Sequence, residues 1–176
     1  LAAAEPENLV PANATTTRDG QILSALFTGL VEYDARTAEP RNAMAESITT
    51  EDQRHWTIRI KGGWTFHNGE PVTARSFVDA WNFAAYAPHA NGNAGYFNKV
   101  EGYAALQAER PPTREMTGLT VVDDTTFTVR LTDSFSQFPI LLGFQAFYPM
   151  PGAAYGDIAA FVETIPFPGV KRRSVR

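Results

Sequence analysis

Apolar and polar residues alternate most cleanly over Trp56-Thr57-Ile58-Arg59-Ile60-Lys61, the period of a strand with one buried face. Gly62-Gly63 then predicts a turn, Trp64-Thr65-Phe66 a second short strand, and His67-Asn68-Gly69 another turn, with Gly69 at a position that favours positive φ. After Thr73, a residue able to cap a helix, Phe77, Ala80, Trp81, Ala84 and Ala85 recur at helical spacing and predict an amphipathic helix. Upstream, Ile22, Leu23, Leu26 and Phe27 predict a helix from Asp19, as its cap, to Gly29. Leu30 to Tyr33 reads as a short strand and Asp34 to Pro40 as a turn. Downstream, Tyr96 to Glu109 carries a helical pattern, and Val121 to Leu131 holds two alternating runs about Asp123–Thr125, a hairpin. Phe138 to Phe144 reads as a short buried helix, Tyr148-Pro149-Met150-Pro151 as extended chain, and Asp157 to Glu163 as a short helix. Strands and helices without regular alternation imply a mixed α/β (α+β) fold with a mixed sheet flanked by helices. Trp56, Ile58, Ile60, Phe77 and Trp81 are expected in one core.

The chain has 176 residues, 44% hydrophobic and 19% charged, which is the composition of one globular domain. No apolar run is long enough to span a bilayer. The formal net charge is −4. Lys171, Arg172, Arg173 and Arg176 crowd the last six residues, so the body ahead of them is more acidic than the whole. An acidic body argues against nucleic-acid binding, which needs clustered Lys and Arg to meet phosphates. There is no cysteine, which excludes disulfides and thiolate chemistry.

The candidate chemistry is sparse. His55, His67 and His89 stand at no spacing that suits a metal, and they read as surface or turn residues. Asp123-Asp124 is an acid pair, but its place in a hairpin turn gives it a structural reading. No nucleophile-elbow motif and no phosphate-cradling glycine loop is present. The aromatics of 56–81 follow strand and helix periods and read as core rather than as a stacking platform. The sequence therefore carries no catalytic residue set, no metal site and no call for a cofactor.

Several segments, in order, carry a resemblance. Ala25-Leu26-Phe27-Thr28-Gly29-Leu30-Val31-Glu32-Tyr33-Asp34, Asn42-Ala43-Met44-Ala45-Glu46-Ser47, the long stretch Trp56 to Trp81, and Asp123 to Val129 are together similar to the family 5 extracellular solute-binding proteins, which include the oligopeptide and dipeptide binders. Leu9-Val10-Pro11, Asn68 and Arg75-Ser76 depart from the family's usual residues in ways that suit surface positions. The resemblance runs to about Pro168 and ends in mid-motif. It implies residues 1–168 as the N-terminal portion of the first lobe of a periplasmic-binding-protein type II fold, incomplete, with 169–176 a basic tail foreign to the family. The expectation is of a truncated or frameshifted product lacking the second lobe, with a segment upstream of Leu1.

The same resemblance implies a non-enzymatic receptor. It would bind short peptides or another small solute outside the membrane, periplasmic or cell-surface and lipid-anchored when intact, and pass them to the membrane permease of an ATP-driven (ABC) importer. Leu1-Ala2-Ala3 is similar to the residues before a lipoprotein cysteine, although Ala4 stands in the cysteine's place and an ordinary Ala-rich segment is the plainer reading. In peptide binders the ligand backbone pairs like an added strand, and the first lobe's share resembles Ala4, Glu5 and Pro6 together with Tyr96 and Phe97. A core role for Tyr96 and Phe97, and a solvated one for Glu5, are the competing readings. The alternatives for the chain as a whole are an extracytoplasmic amide hydrolase on the same fold and a small free-standing interaction domain. An unpaired sheet edge, left by the absent remainder, is expected to allow self-association.

Overall fold

The structure, a computed structural model, describes residues 9–158 and Phe161. The expected helix over 157–163 therefore lies outside the described residues except at its start, as does the 169–176 tail.

The chain opens with a 3₁₀ turn, Pro11–Asn13, followed by helix α1, Thr17–Leu26. The cap of α1 is Thr16, not Asp19 as the sequence pattern predicts: Asp19 lies in the first turn, and its N–H donates to Thr16 Oγ1 at 3.1 Å. Strands β1, Val31–Tyr33, and β2, Pro40–Asn42, form a two-stranded antiparallel ribbon. The turn between them is held by Asp34, whose carboxylate accepts the N–H groups of Arg36 and Thr37.

Strands β3, Ala45–Thr50, β4, His55–Ile60, β5, Leu119–Val121, and β6, Thr126–Arg130, make a four-stranded sheet in the order β3-β4-β6-β5. Each of its ladders is antiparallel. The alternation of β4 puts Trp56, Ile58 and Ile60 inward and His55, Thr57 and Arg59 outward. Helix α2, Ala74–Ala85, lies across the inner face. It starts where Ala74 N–H donates to Asp124 O in the β5–β6 turn (2.8 Å), and where Ser76 Oγ accepts the N–H of Thr73 (3.1 Å). That turn is itself fixed by Asp123, which accepts from the N–H and hydroxyl of Thr125.

Trp81 of α2 is the hub of the core. Its ring meets Phe127 and Phe147 edge-on, with centroids 5.4 Å and 5.3 Å away, and its Nε1–H donates to Phe147 O at 3.1 Å. Phe77 stacks on Phe127. The five residues expected in one core, Trp56, Ile58, Ile60, Phe77 and Trp81, are all in it.

Two expectations about elements need correction. Trp64–Phe66 does not form a strand of its own. It folds back over the Gly69 turn, where φ is +88°, into a single bridge between Thr65 and Pro71. The expected helix from Tyr96 to Glu109 is split into a 3₁₀ turn, Ala94–Phe97, and helix α3, Tyr103–Leu106. Between the two, Val100 is drawn into a bridge with Leu131, Glu101 N–H donates to Arg130 O, and Gly102 takes φ +88°, which no continuing helix allows. The last described elements are helix α4, Phe138–Leu141, and 3₁₀ turns at Gln145–Phe147 and Gly152–Tyr155.

Candidate ligand-facing surface

Of the residues singled out from the sequence, Ala4, Glu5 and Pro6 lie outside the described residues. Tyr96 and Phe97 are adjacent in sequence and opposite in environment. Phe97 is fully buried, packed on Trp81 and Phe147, and has no face available to a ligand. Tyr96 is 41% exposed. Its ring lies against Phe144 with centroids 4.4 Å apart, so it is held from one side and open on the other. Its phenol has no hydrogen-bond partner among the described residues.

The 91–97 loop that carries Tyr96 is fastened to the start of the described chain. Asn93, only 3% exposed, donates its side-chain amide to Pro11 O (2.8 Å) and Ala14 O (3.0 Å), and its backbone N–H to Ala12 O (3.0 Å). Both side-chain partners are carbonyls, so the orientation of the amide is fixed by what it meets. The bonding is returned by Asn13, whose Oδ1 accepts the N–H of Gly92 at 3.0 Å. Gln145, next to Phe144, reaches Ala14 O from the other side. Three stretches distant in sequence, 10–14, 91–97 and 144–148, thus meet one another beside α2. Beneath them Ala14, Leu23 and Tyr148 form a small satellite core with Phe27. The sequence reading names Tyr96 but misses Asn93. A buried Asn in a Gly- and Ala-rich loop gives no periodic signal, and its neighbours Asn91 and Gly92 disguise it as turn chemistry.

The ionic groups lie elsewhere. Glu101 accepts from Arg54 at 2.7 Å and from Arg130, and these contacts, Arg54's foremost, hold its carboxyl below the usual range. This ties the 99–103 segment to β4 and β6. His55 pairs with Asp52, His67 approaches Leu26 O, and His89 Nδ1 lies 3.0 Å from Phe83 O. The three histidines do not converge, and among the described residues no three His, Asp or Glu gather as metal ligands. An open depression on the outer sheet face, lined by His55, Thr57, Thr120, Thr128 and Arg130, is on the side of the sheet away from α2 and shares no residue with the Tyr96 surface. No helix among the described residues is long and apolar enough to cross a membrane.

Residues 39–167 match the residue pattern of the bacterial extracellular solute-binding proteins, family 5 Middle. The chain belongs to this family. Among family 5 relatives, the oligopeptide-binding protein OppA of Bacillus subtilis (strain 168) is 29% identical over 147 residues, covering 83% of this chain and 27% of its own length. The solved murein tripeptide binding protein MppA of Escherichia coli superposes with a TM-score of 0.80 at 26% identity, covering 86% of this chain and 30% of that one. Haemophilus influenzae OppA, solved in complex with the peptide RPPGFSPFR, gives 0.79 at 27%, covering 87% and 30%. The fold is thus part of the type II periplasmic-binding-protein architecture. The family 5 chain described here spans less than a third of the length of these relatives, which are named as binding proteins rather than enzymes.

Proposed function

We propose that this chain forms part of the first lobe of an extracytoplasmic receptor that captures short peptides and hands them to the permease of an ABC importer. The observation that carries the reading is the half-exposed Tyr96, braced by Phe144 and set beside the segment that follows Ala4-Glu5-Pro6. An extended ligand would pair by main-chain hydrogen bonds with the chain around Ala4-Glu5-Pro6, ahead of the Pro11–Asn13 turn, while Tyr96 offers an aromatic face and a phenol to a side chain or carbonyl. Membership of family 5, with OppA and MppA among its relatives, agrees with a peptide ligand. Phe97 supports the loop from below and takes no direct part.

The role is binding without chemistry, in keeping with relatives that are named as binding proteins. In the intact receptor a second lobe closes over the ligand about a hinge, and the protein is held at the outer face of the membrane by a lipid anchor. In the chain on its own, the outer edges of β3 and β5 are open to pairing with a second copy. The test is calorimetry of the full-length protein with a pool of di- to pentapeptides, before and after Tyr96→Ala. Saturable binding near micromolar Kd, weakened at least about tenfold by the substitution, is expected. Absence of binding, or binding indifferent to Tyr96, would overturn the reading.

A further inference from the structure

We infer that Asn93 is the positioning residue of the ligand-facing surface: it locks the loop bearing Tyr96 to the N-terminal segment, so that the two halves of the surface form as one unit. The inference rests on the peptide-binding reading above and adds to it a residue that touches no ligand.

The argument begins with cost. A buried amide must satisfy its donors, and one that fails to do so forfeits its desolvation. Asn93 satisfies both side-chain hydrogens on carbonyls of a different segment, Pro11 O and Ala14 O, instead of on its own loop. A residue serving only to shape the 91–97 turn would bond within that turn. With Asn93 N–H on Ala12 O and Gly92 N–H on Asn13 Oδ1, four hydrogen bonds join two short stretches that no strand ladder or long helix holds together. Apolar packing joins the two stretches only through the shared core, where Phe97 lies in the same cluster as Val10 and Ala12, and it is non-directional. Val10 and Ala12 belong to the main core, Ala14 to the satellite core, and Tyr96 leans on Phe144. The hydrogen bonds of Asn93 are the directional contacts that set the registry between them, three residues away from the side chain they position.

Asn93→Asp keeps the shape but replaces the Nδ2 that donates both bonds with a carboxylate oxygen facing two carbonyls, and so repels where the wild type binds. In the full-length protein, hydrogen exchange should quicken at the amides of 12–16 and 92–97 while those of β4 and β6 stay protected. Peptide affinity should fall about tenfold or more, the scale of one to two lost hydrogen bonds. A merely structural role is separated from a positioning one by a double-mutant cycle with Tyr96→Ala. If Asn93 acts through Tyr96, the Asp substitution costs much less affinity once Tyr96 is gone. Additive losses, an unchanged affinity despite faster local exchange, or exchange that quickens equally throughout the molecule would each overturn the inference and leave the peptide reading intact. Failure of the wild type to bind any peptide in the pool would instead remove the peptide reading, and the inference with it.

Discussion

Tyr96 and Phe97 show how sharply one residue step can divide roles. Phe97 lies between Trp81 and Phe147 with no exposure, so Phe97→Ala opens a cavity in the aromatic hub and is expected to cost about 3–5 kcal/mol of stability. Tyr96→Ala removes a half-exposed ring, and thermal melts should show it shifting stability far less than Phe97→Ala while it alone weakens peptide binding. The family resemblance pointed to both residues and could not separate them, because an aromatic pair in a Gly-rich loop has no period to tell inside from outside. Asp52 provides a prediction of pH dependence. Its carboxylate accepts from the N–H of His55 (2.7 Å), from His55 Nδ1 (2.6 Å) and from the N–H of Arg54 (2.9 Å), and these bonds hold its pKa far below the ordinary Asp value of 3.8. Because the folded-state pKa is the depressed one, the stabilisation is complete above the ordinary value and is lost as pH falls toward the folded one. The difference in Tm between wild type and Asp52→Ala should therefore stay constant from neutral pH to about 5 and close progressively below about 4. A gap that widened on acidification would contradict this.

Among the elements, α2 was legible and β3 was not, for a physical reason. The α2 stripe of Phe77, Ala80, Trp81, Ala84 and Ala85 is buried against a continuous sheet, so the 3.6-residue period is written in the side chains. Strand β3 lies at a sheet edge, and a bulge between Ala45 and Ser47 breaks its alternation, which erases the period-2 signal. The 96–109 stretch misled in the opposite sense. Its local pattern suits a helix, but long-range pairing of Val100 with Leu131 and the left-handed turn at Gly102 override it. The start of α2 yields a test of local chemistry. Ser76→Ala leaves the N–H of Thr73 without its side-chain acceptor, and chemical denaturation should report a loss of about 0.5–1.5 kcal/mol with an unchanged slope. Loss of several kcal/mol would mean that Ser76 does more than close the first turn.

On the scale of the whole molecule, the family relationship was legible because its motifs build the sheet and α2, while the proposed ligand surface was only partly so, because loops distant in sequence assemble it. The same scale sets what the chain can do alone. Relatives are roughly three times as long, and a ligand enclosed by two lobes loses roughly half its contacts when only one is present. On that crude scaling a micromolar ligand, near −8 kcal/mol, falls to about −4 kcal/mol, or millimolar. Titration of the isolated 176-residue chain should accordingly show no saturation at micromolar peptide. Its β5 edge, unpaired among the described residues and flanked by the 60%-exposed Val122, should favour dimers at high concentration. Sedimentation should detect them, and Val122→Lys should reduce them.

The strand order β3-β4-β6-β5 also governs how the molecule is made. Strands β3 and β4 are hairpin neighbours and can pair within microseconds of being synthesised. The inner partner of β4 is β6, and His55 meets Arg130 only after α2 and the long loops beyond it have been translated. On the ribosome, β4 must therefore wait with one flank unpaired until residue 130 has cleared the exit tunnel. High contact order of this kind slows folding, and under the proposed extracytoplasmic role the delay would be useful. A chain that cannot complete its sheet early stays unfolded long enough to be threaded through a translocation pore.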